Sequence, residues 1–185
     1  IVNVFDNLSG GRLENLKHHF KNKYFNFEKK DICKVNYNHK FFFKCDYVFH
    51  FAGVGDIVPS IEDPIKYLNA NILGTAKMLY AAKKASVKKF IYAASSSCYG
   101  LAKTPTPEKH KINPLYPYAM SKYLGEKLCF HWQNLYGLPV NSIRNYNAYG
   151  TRVKTTGVYG AVFGVFFKQK LENKPFAIVG NGTQK

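Results

Sequence analysis

The sequence predicts an α/β protein organised on a parallel sheet with helices on both faces, and its own patterning carries that prediction. Short apolar runs alternate with stretches of helical periodicity along most of the 185 residues. The segments between the runs are long enough for crossover connections. A disordered chain is excluded by composition: 46% of the residues are hydrophobic and 16% aromatic, enough apolar surface to offset the entropy of ordering the backbone.

In chain order, residues 1–5 read as a strand, 11–20 as a helix, 23–28 as a short strand and 34–42 as a helical stretch. Asp46–Phe51 reads as a buried strand. A long helical region follows at about 61–85, where Ile72, Ala76, Leu79 and Tyr80 recur at helical spacing. Lys89–Ala94 is the next strand, and Pro117 suits the first turn of a helix running to Tyr136. Gly137-Leu138-Pro139 ends that helix before a strand at Val140–Arg144. Past residue 150 the pattern loosens: Gly157, Gly160 and Gly164 lie in an aromatic-rich stretch, followed by a short strand near 175–179 and a turn at Gly180-Asn181-Gly182. There are no internal repeats.

Charge is lopsided, with Lys+Arg 27 against Asp+Glu 11 for a net +16. Arginine occurs only at Arg12, Arg144 and Arg152, so the excess is almost all lysine. The lysines between Lys17 and Lys44 are scattered and form no block of the kind that marks a nucleic-acid-binding tail, so no nucleic-acid partner is expected. No apolar run approaches the roughly 18 to 20 residues needed to span a bilayer, which predicts a soluble protein with no membrane partner. Ile1–Asp6 lacks the basic and apolar regions of a signal peptide. Cys33, Cys45, Cys98 and Cys129 are widely spaced with no C-x-x-C pair, so no metal site or disulfide framework is expected and a reducing cytoplasm is.

In a parallel sheet the ligand sits beyond the carboxyl ends of the strands, so the residues just after each strand matter most. The first strand ends in Asp6, and a carboxylate there suits the ribose hydroxyls of NAD. That acid ordinarily follows a Gly-rich phosphate turn by about 20 residues, for which Asp6 leaves no room. Either Asp6 is an ordinary turn residue, or a strand and phosphate loop precede Ile1. Gly53-Val54-Gly55 fails as a substitute fingerprint because Val58 holds the third glycine position. Phe51-Ala52-Gly53 reads instead as a strand end small enough for a flat cofactor to lie close to the backbone.

The most informative region is Ala94-Ser95-Ser96-Ser97, followed by Tyr118-Ala119-Met120-Ser121-Lys122. A Tyr-x-x-x-Lys spacing sets phenol and ammonium a helical turn apart on one face. A tyrosine must drop by about three pKa units, ~4 kcal/mol, to act as a base near neutrality, and a nearby ammonium and a cationic nicotinamide ring could supply that. A serine hydroxyl opposite would hold the substrate oxygen. Tyr80/Lys84, Tyr99/Lys103 and Tyr123/Lys127 share the spacing, and each fits a packed tyrosine beside a solvated lysine. Only Tyr118/Lys122 opens a helix after a proline, downstream of a strand ending in three serines.

These segments, with Asn69-Ala70-Asn71-Ile72-Leu73-Gly74-Thr75, Cys98-Tyr99-Gly100 and Arg144-Asn145-Tyr146-Asn147-Ala148-Tyr149-Gly150, make the chain resemble the extended short-chain dehydrogenases acting on nucleotide sugars, most closely their UDP-glucose 4-epimerase-like branch. The resemblance implies a Rossmann-like doubly wound parallel sheet lacking its first strand and Gly-rich loop. It divides the chain into an NAD-binding domain over 1–150 and the beginning of a nucleotide-sugar-binding domain over 151–185, cut at both ends, so the chain alone is expected to bind NAD poorly and to be inactive.

By the same resemblance Asp6 and Asn7 would contact the adenosine ribose of NAD, and Asp31 and Ile32 the adenine. Phe51, Ala52 and Gly53 would line the pyrophosphate and nicotinamide ribose, with Asn71 beside the cofactor. Ser95, Tyr118 and Lys122 match the catalytic triad, and Lys122 and Tyr118 also touch the cofactor. Ser96, Ser97 and Asn147 would meet the sugar nucleotide. Dehydratases of the family typically carry Asp-Glu, and decarboxylases a Glu, after the catalytic serine or threonine. Ser96 and Ser97 there disfavour elimination. Asn145 and Gly55 depart from the family pattern without touching the triad.

The implied reaction is NAD-dependent epimerisation at C4 of a UDP-hexose through a transient 4-keto sugar. A reductase or dehydratase on the same fold and a cofactor-binding protein without turnover are the alternatives. Family members are usually homodimers, here pairing helices near 61–85 and 116–136.

Overall fold

The computed structural model describes residues 1–153, 155, 162–178 and 180–182, in two units, Ile1–Tyr146 and Asn147–Lys185. Five strands build the first unit: β1 (Val2–Asp6), β2 (Phe25–Lys29), β3 (Tyr47–His50), β4 (Lys89–Ala93) and β5 (Val140–Ile143). Every pairing is parallel, in the orders β1-β2 and β3-β4-β5. Because side chains alternate across a strand, the register sets Val48 against Phe90, His50 against Tyr92 and Phe90 against Val140 on one face.

That face carries the core. Between β3 and β4 the chain runs through α1 (Val58–Glu62), α2 (Pro64–Leu68), a π-helical segment Asn69–Gly74 and α3 (Thr75–Lys84). Between β4 and β5 it runs through α4 (Pro117–Tyr136). Met78, Leu79 and Ala82 of α3 and Cys129 of α4 pack on Val48, Phe90, Tyr92 and Val140 in one buried cluster. On the opposite face of β3, Tyr47, Phe49 and the following Phe51 are 55%, 64% and 61% exposed. The result is a Rossmann-like parallel α/β unit in which the strands of each sheet end on a common edge.

The helix at Pro117–Tyr136 and all five strands fall where the pattern puts them, within two residues. Elsewhere the outcome differs for local reasons. The expected helix at 11–20 is a 3-10 segment, Leu13–His19, with no side-chain cap at Arg12 and no buried residue to hold it. The stretch expected to be helical, 34–42, holds only the short 3-10 turn Lys40–Phe42 and the last residue of another, Ile32–Lys34. The Asp31 carboxylate accepts from the Cys33 N–H and His39 Nδ1 from the Phe41 N–H, local bonds that compete with a continuing helix.

The long helix expected at 61–85 is broken by Pro64. A proline disfavours helical geometry in the residue before it, and Asp63 sits at φ −133° and ψ 70° while its side chain caps α2 through the Lys66 N–H. Cys98 and Cys129 are buried, Cys33 and Cys45 half-buried, and all four are free thiols.

In the second unit a helix the sequence reading missed, α5 (Val162–Leu171), buries only Gly164. Its apolar residues form a nearly unbroken run with no clean helical period. Residues 174–178 form no strand. Gly157, Gly160 and position 179 lie outside the described residues.

Candidate active site

The strand β4 ends at Ala93, and two residues on Ser95 caps a 3-10 turn, Ser96–Tyr99, by accepting the Ser97 N–H on Oγ. The turn brings Ser97 Oγ within 2.7 Å of Ser95 Oγ and leaves Ser95 9% exposed. Across from it, the half-buried Tyr118 at the start of α4 donates its hydroxyl to Ser95 Oγ at 3.4 Å. The two hydroxyls singled out from sequence therefore meet.

Lys122, one turn further along α4, is buried, with Nζ 4.6 Å from the centre of the Tyr92 ring. Burial penalises its charge and brings the ammonium down to about 8. It therefore remains mostly charged at neutral pH and loses its proton in the mildly alkaline range. Two of the competing pairs look different: Lys84 lies over its own Tyr80 and Lys127 over its own Tyr123, and Tyr80 is itself exposed rather than packed. Tyr92, whose hydroxyl donates to the Lys122 carbonyl at 3.1 Å, has its phenol pushed up by burial and stays protonated. Burial likewise pushes the Cys129 thiol up to about 12.

Asn71 lies in the π segment with 0% exposure. Its Nδ2 donates to the Val54 carbonyl at 3.0 Å and to Ser121 Oγ at 2.9 Å, while Oδ1 accepts the Val54 N–H at 2.8 Å. Both amide donors are thus committed to bracketing the loop after β3 against α4. A Cβ on Gly53 would fall 2.7 Å from Asn71 Oδ1 and 3.7 Å from Lys122 Nζ, so only a glycine leaves the backbone open beside the lysine.

Behind this bracket His50 Nε2 meets Thr75 Oγ1 at 2.9 Å, and Thr75 donates onward to the Asn71 carbonyl at 2.7 Å. Since the Thr75 proton is used there, His50 is the donor, a neutral imidazole protonated at Nε2. Burial, and then the charge of Lys122, hold its pKa down to about 3.

The remaining predicted residues lie at the other strand ends. Asp6 closes β1, its Oδ1 accepting the Leu8 N–H at 2.6 Å. A Cβ on Gly11 would come within 2.7 Å of its Oδ2, so a glycine leaves that oxygen room. Asn7 is exposed and accepts the Ser9 N–H. Asp31 caps its turn, and Ile32 is buried against Gly74 of the π segment. Phe51 stacks on Phe49 with ring planes 5° apart, Ala52 is half-buried and Gly53 exposed. Ser96 donates its N–H to the Asn145 carbonyl at 3.0 Å. Asn147 is the first residue of the second unit.

Sequence reasoning missed the supporting residues. Glu126, 3% exposed, takes Arg144 Nη2 at 2.6 Å and Nε at 3.0 Å, with the Ser142 hydroxyl at 3.1 Å. Arg144 Nη1 donates to the Tyr99 hydroxyl at 2.7 Å and the Glu108 carbonyl at 3.0 Å. The pair ties α4 and β5 to the serine-bearing turn. Its only sequence signal was the position of Glu126 one turn beyond Lys122. Ser60 and Tyr67, which touch Tyr118, gave none.

At the carboxyl end of β4 a phenol thus lies on a serine hydroxyl, with a buried ammonium one turn further along α4. The sequence pattern of the NAD dependent epimerase/dehydratase family matches residues 2–185. The chain belongs to that family, whose cofactor is NAD. It is 34% identical over 181 residues to the UDP-glucose 4-epimerase of Mycolicibacterium smegmatis, covering 96% of this chain and 58% of that protein.

Among solved structures it resembles the UDP-N-acetylglucosamine 4-epimerase of Methanobrevibacter ruminantium in complex with UDP-N-acetylmuramic acid, with a TM-score of 0.93 and 31% identity over 99% of this chain and 59% of that one. The UDP-glucuronic acid 4-epimerase of Bacillus cereus in complex with UDP-glucuronic acid and NAD gives a TM-score of 0.90 and 30% identity over 99% of this chain and 59% of that one. The chain thus spans about three-fifths of these relatives.

The residues present fit the dinucleotide: a strand-end carboxylate with one oxygen not engaged by the Leu8 N–H, and Gly53, where an added Cβ would take up space beside Lys122.

Proposed function

We propose that the protein carrying this chain epimerises a nucleotide sugar at C4, the substrate being a UDP-hexose. The contact between the Tyr118 and Ser95 hydroxyls at 3.4 Å supports this reading above all others. Asp6 and Asn7 would hold the adenosine ribose, Asp31 and Ile32 the adenine, and Phe51, Ala52 and Gly53 the middle of NAD. Asn71 would act by fixing Val54. NAD, when bound, supplies the acceptor and then the donor of the C4 hydride.

The protein's own part is proton handling and orientation. Tyr118, as phenolate, takes the proton of the C4 hydroxyl. Ser95 donates to the same oxygen and keeps it in line. Lys122 stabilises the phenolate by its charge and holds the nicotinamide ribose. Tyr118 returns the proton once the transient 4-keto sugar has turned its other face. Ser96 and Ser97 would seat the sugar, and they stand after Ser95 where a pair of carboxylates would be needed to remove water. The protein would act in the cytoplasm as a homodimer, pairing the apolar residues exposed on α1, α2 and the π segment, Ile61, Ile65 and Leu73, with Leu124 of α4.

The test is proton NMR of UDP-glucose, UDP-glucuronic acid and UDP-N-acetylglucosamine incubated with the protein and catalytic NAD. The reading expects a C4 epimer to accumulate without net change in NADH. Stoichiometric use of reduced cofactor would make it a reductase, and no epimer from any of the three would refute the proposal.

A further inference from the structure

We infer that Ser60 of α1 is a positioning residue for Tyr118, capping helix α4 from far along the chain. The inference deepens the proposed function and rests on it for its catalytic consequence. The cap itself is a matter of geometry.

Helix α4 opens without a cap of its own. Tyr116 at the N-cap is extended, φ −133° and ψ 156°, and makes no side-chain cap bond. Pro117 follows and has no N–H to satisfy. The first orphan donor of the helix is therefore the Tyr118 N–H. It donates to Ser60 Oγ at 3.1 Å, across 58 positions of sequence. The Ser60 hydroxyl sends its own proton to the Ile57 carbonyl at 2.5 Å, which orients the oxygen as the acceptor. Ser60 is 0% exposed, so water has no access to take its place.

The same region touches the phenol. Tyr67 of α2, 2% exposed, lies edge-on to Tyr118 with ring centroids 6.3 Å apart, and its hydroxyl donates to the Gly55 carbonyl at 2.5 Å. Tyr118 is thus held at its backbone by Ser60 and at its ring by Tyr67. A side chain on the second residue of a helix moves with that turn. Loosening the turn would carry the hydroxyl away from Ser95.

The test follows amide hydrogen exchange in the protein carrying this chain. In Ser60→Ala, exchange at the Tyr118 N–H accelerates by about tenfold, the effect of losing one buried hydrogen bond, while core amides such as those of Leu79 and Phe90 keep their protection. Adding Tyr116→Ser, which supplies the missing acceptor from the N-cap itself, restores protection. For the reaction, kcat falls by about tenfold with KM within about twofold, and the second substitution recovers kcat.

Unchanged exchange at Tyr118 in Ser60→Ala, or failure of Tyr116→Ser to restore it, would overturn the inference. If Ser60→Ala does not fold, Ser60→Cys keeps the size with a weak acceptor; faster exchange at Tyr118 supports the cap and unchanged exchange removes it. Faster exchange in a protein that epimerises no sugar would leave the cap standing and remove the proposed function. Unchanged exchange in an active protein would do the reverse.

Discussion

His50 shows how burial sets chemistry at a single residue. It is held neutral with a pKa near 3, donating to Thr75 behind the Asn71 bracket. An unfolded chain would protonate it below its ordinary value of 6.5, so the unfolded state binds more protons between that pH and about 3. Stability therefore falls as pH drops through 6.5, by at most ~1.4 kcal/mol per pH unit for one proton. Urea titrations from pH 7.5 to 4.5 should show this slope, and His50→Gln, which keeps an N–H donor, should flatten it. An equal slope in the variant would move the effect elsewhere. Lys122 titrates in the opposite range. Its value near 8 against an ordinary 10.5 means that the unfolded chain holds the extra proton between those limits. The cost of burying the charge is fully present below pH 8 and is relieved as pH rises toward 10.5. The meeting of Tyr118 with Ser95 was legible in sequence because Tyr118 opens a helix after Pro117 and Ser95 follows a strand. The residues that keep Tyr118 in place were not, since Ser60 and Tyr67 reach it from far along the chain.

At the level of elements, α4 is held by the sheet beneath Gly125, by Ser60 at its start and by Arg144 on Glu126. Gly125 lets it approach the sheet: a Cβ there would collide with the Tyr92 hydroxyl and lie 2.9 Å from the Asn71 carbonyl. Gly125→Ala should cost ~1–3 kcal/mol through overpacking, read as a lower urea midpoint with unchanged slope. Further along, Arg144→Met would leave the Glu126 carboxylate buried without its partner and should destabilise by ~3–5 kcal/mol. Glu126→Gln with Arg144→Met should recover part of that, and equal losses in the single and double variants would contradict the pairing. The boundaries of α4 could be read from Pro117 and from Gly137, which takes the left-handed φ of 67° that ends the helix. The helix expected at 61–85 was legible as helical, but its break and its π segment were not. The break is local, at Asp63-Pro64, whereas the π turn is shaped by contacts of Asn71 and Thr75 with Val54, Ser121 and His50.

For the molecule as a whole, the parallel architecture was visible in the alternation of strands and helices, because period-2 and period-3.6 patterns do not mimic each other over these lengths. What alternation could not give is which side of the sheet the described helices cover. Val48 and His50 are buried under α3 and α4 while Tyr47, Phe49 and Phe51 stay exposed, an apolar patch of the kind that binds other surfaces. The chain on its own should bind the dye anilinonaphthalene sulfonate, and Phe49→Gln should reduce that binding without lowering the urea midpoint; unchanged dye binding would place the patch elsewhere. The second unit was the least legible, since α5 is apolar on nearly every side and carries no period to read. The proposed chemistry depends on one phenol, and Tyr118→Phe removes its hydroxyl while sparing the ring and the backbone bond to Ser60. Measured by proton NMR of a UDP-sugar that the unaltered protein converts, Tyr118→Phe should lower the rate of C4 epimer formation by at least about a hundredfold, and a rate equal to the unaltered protein would contradict Tyr118 as the proton acceptor.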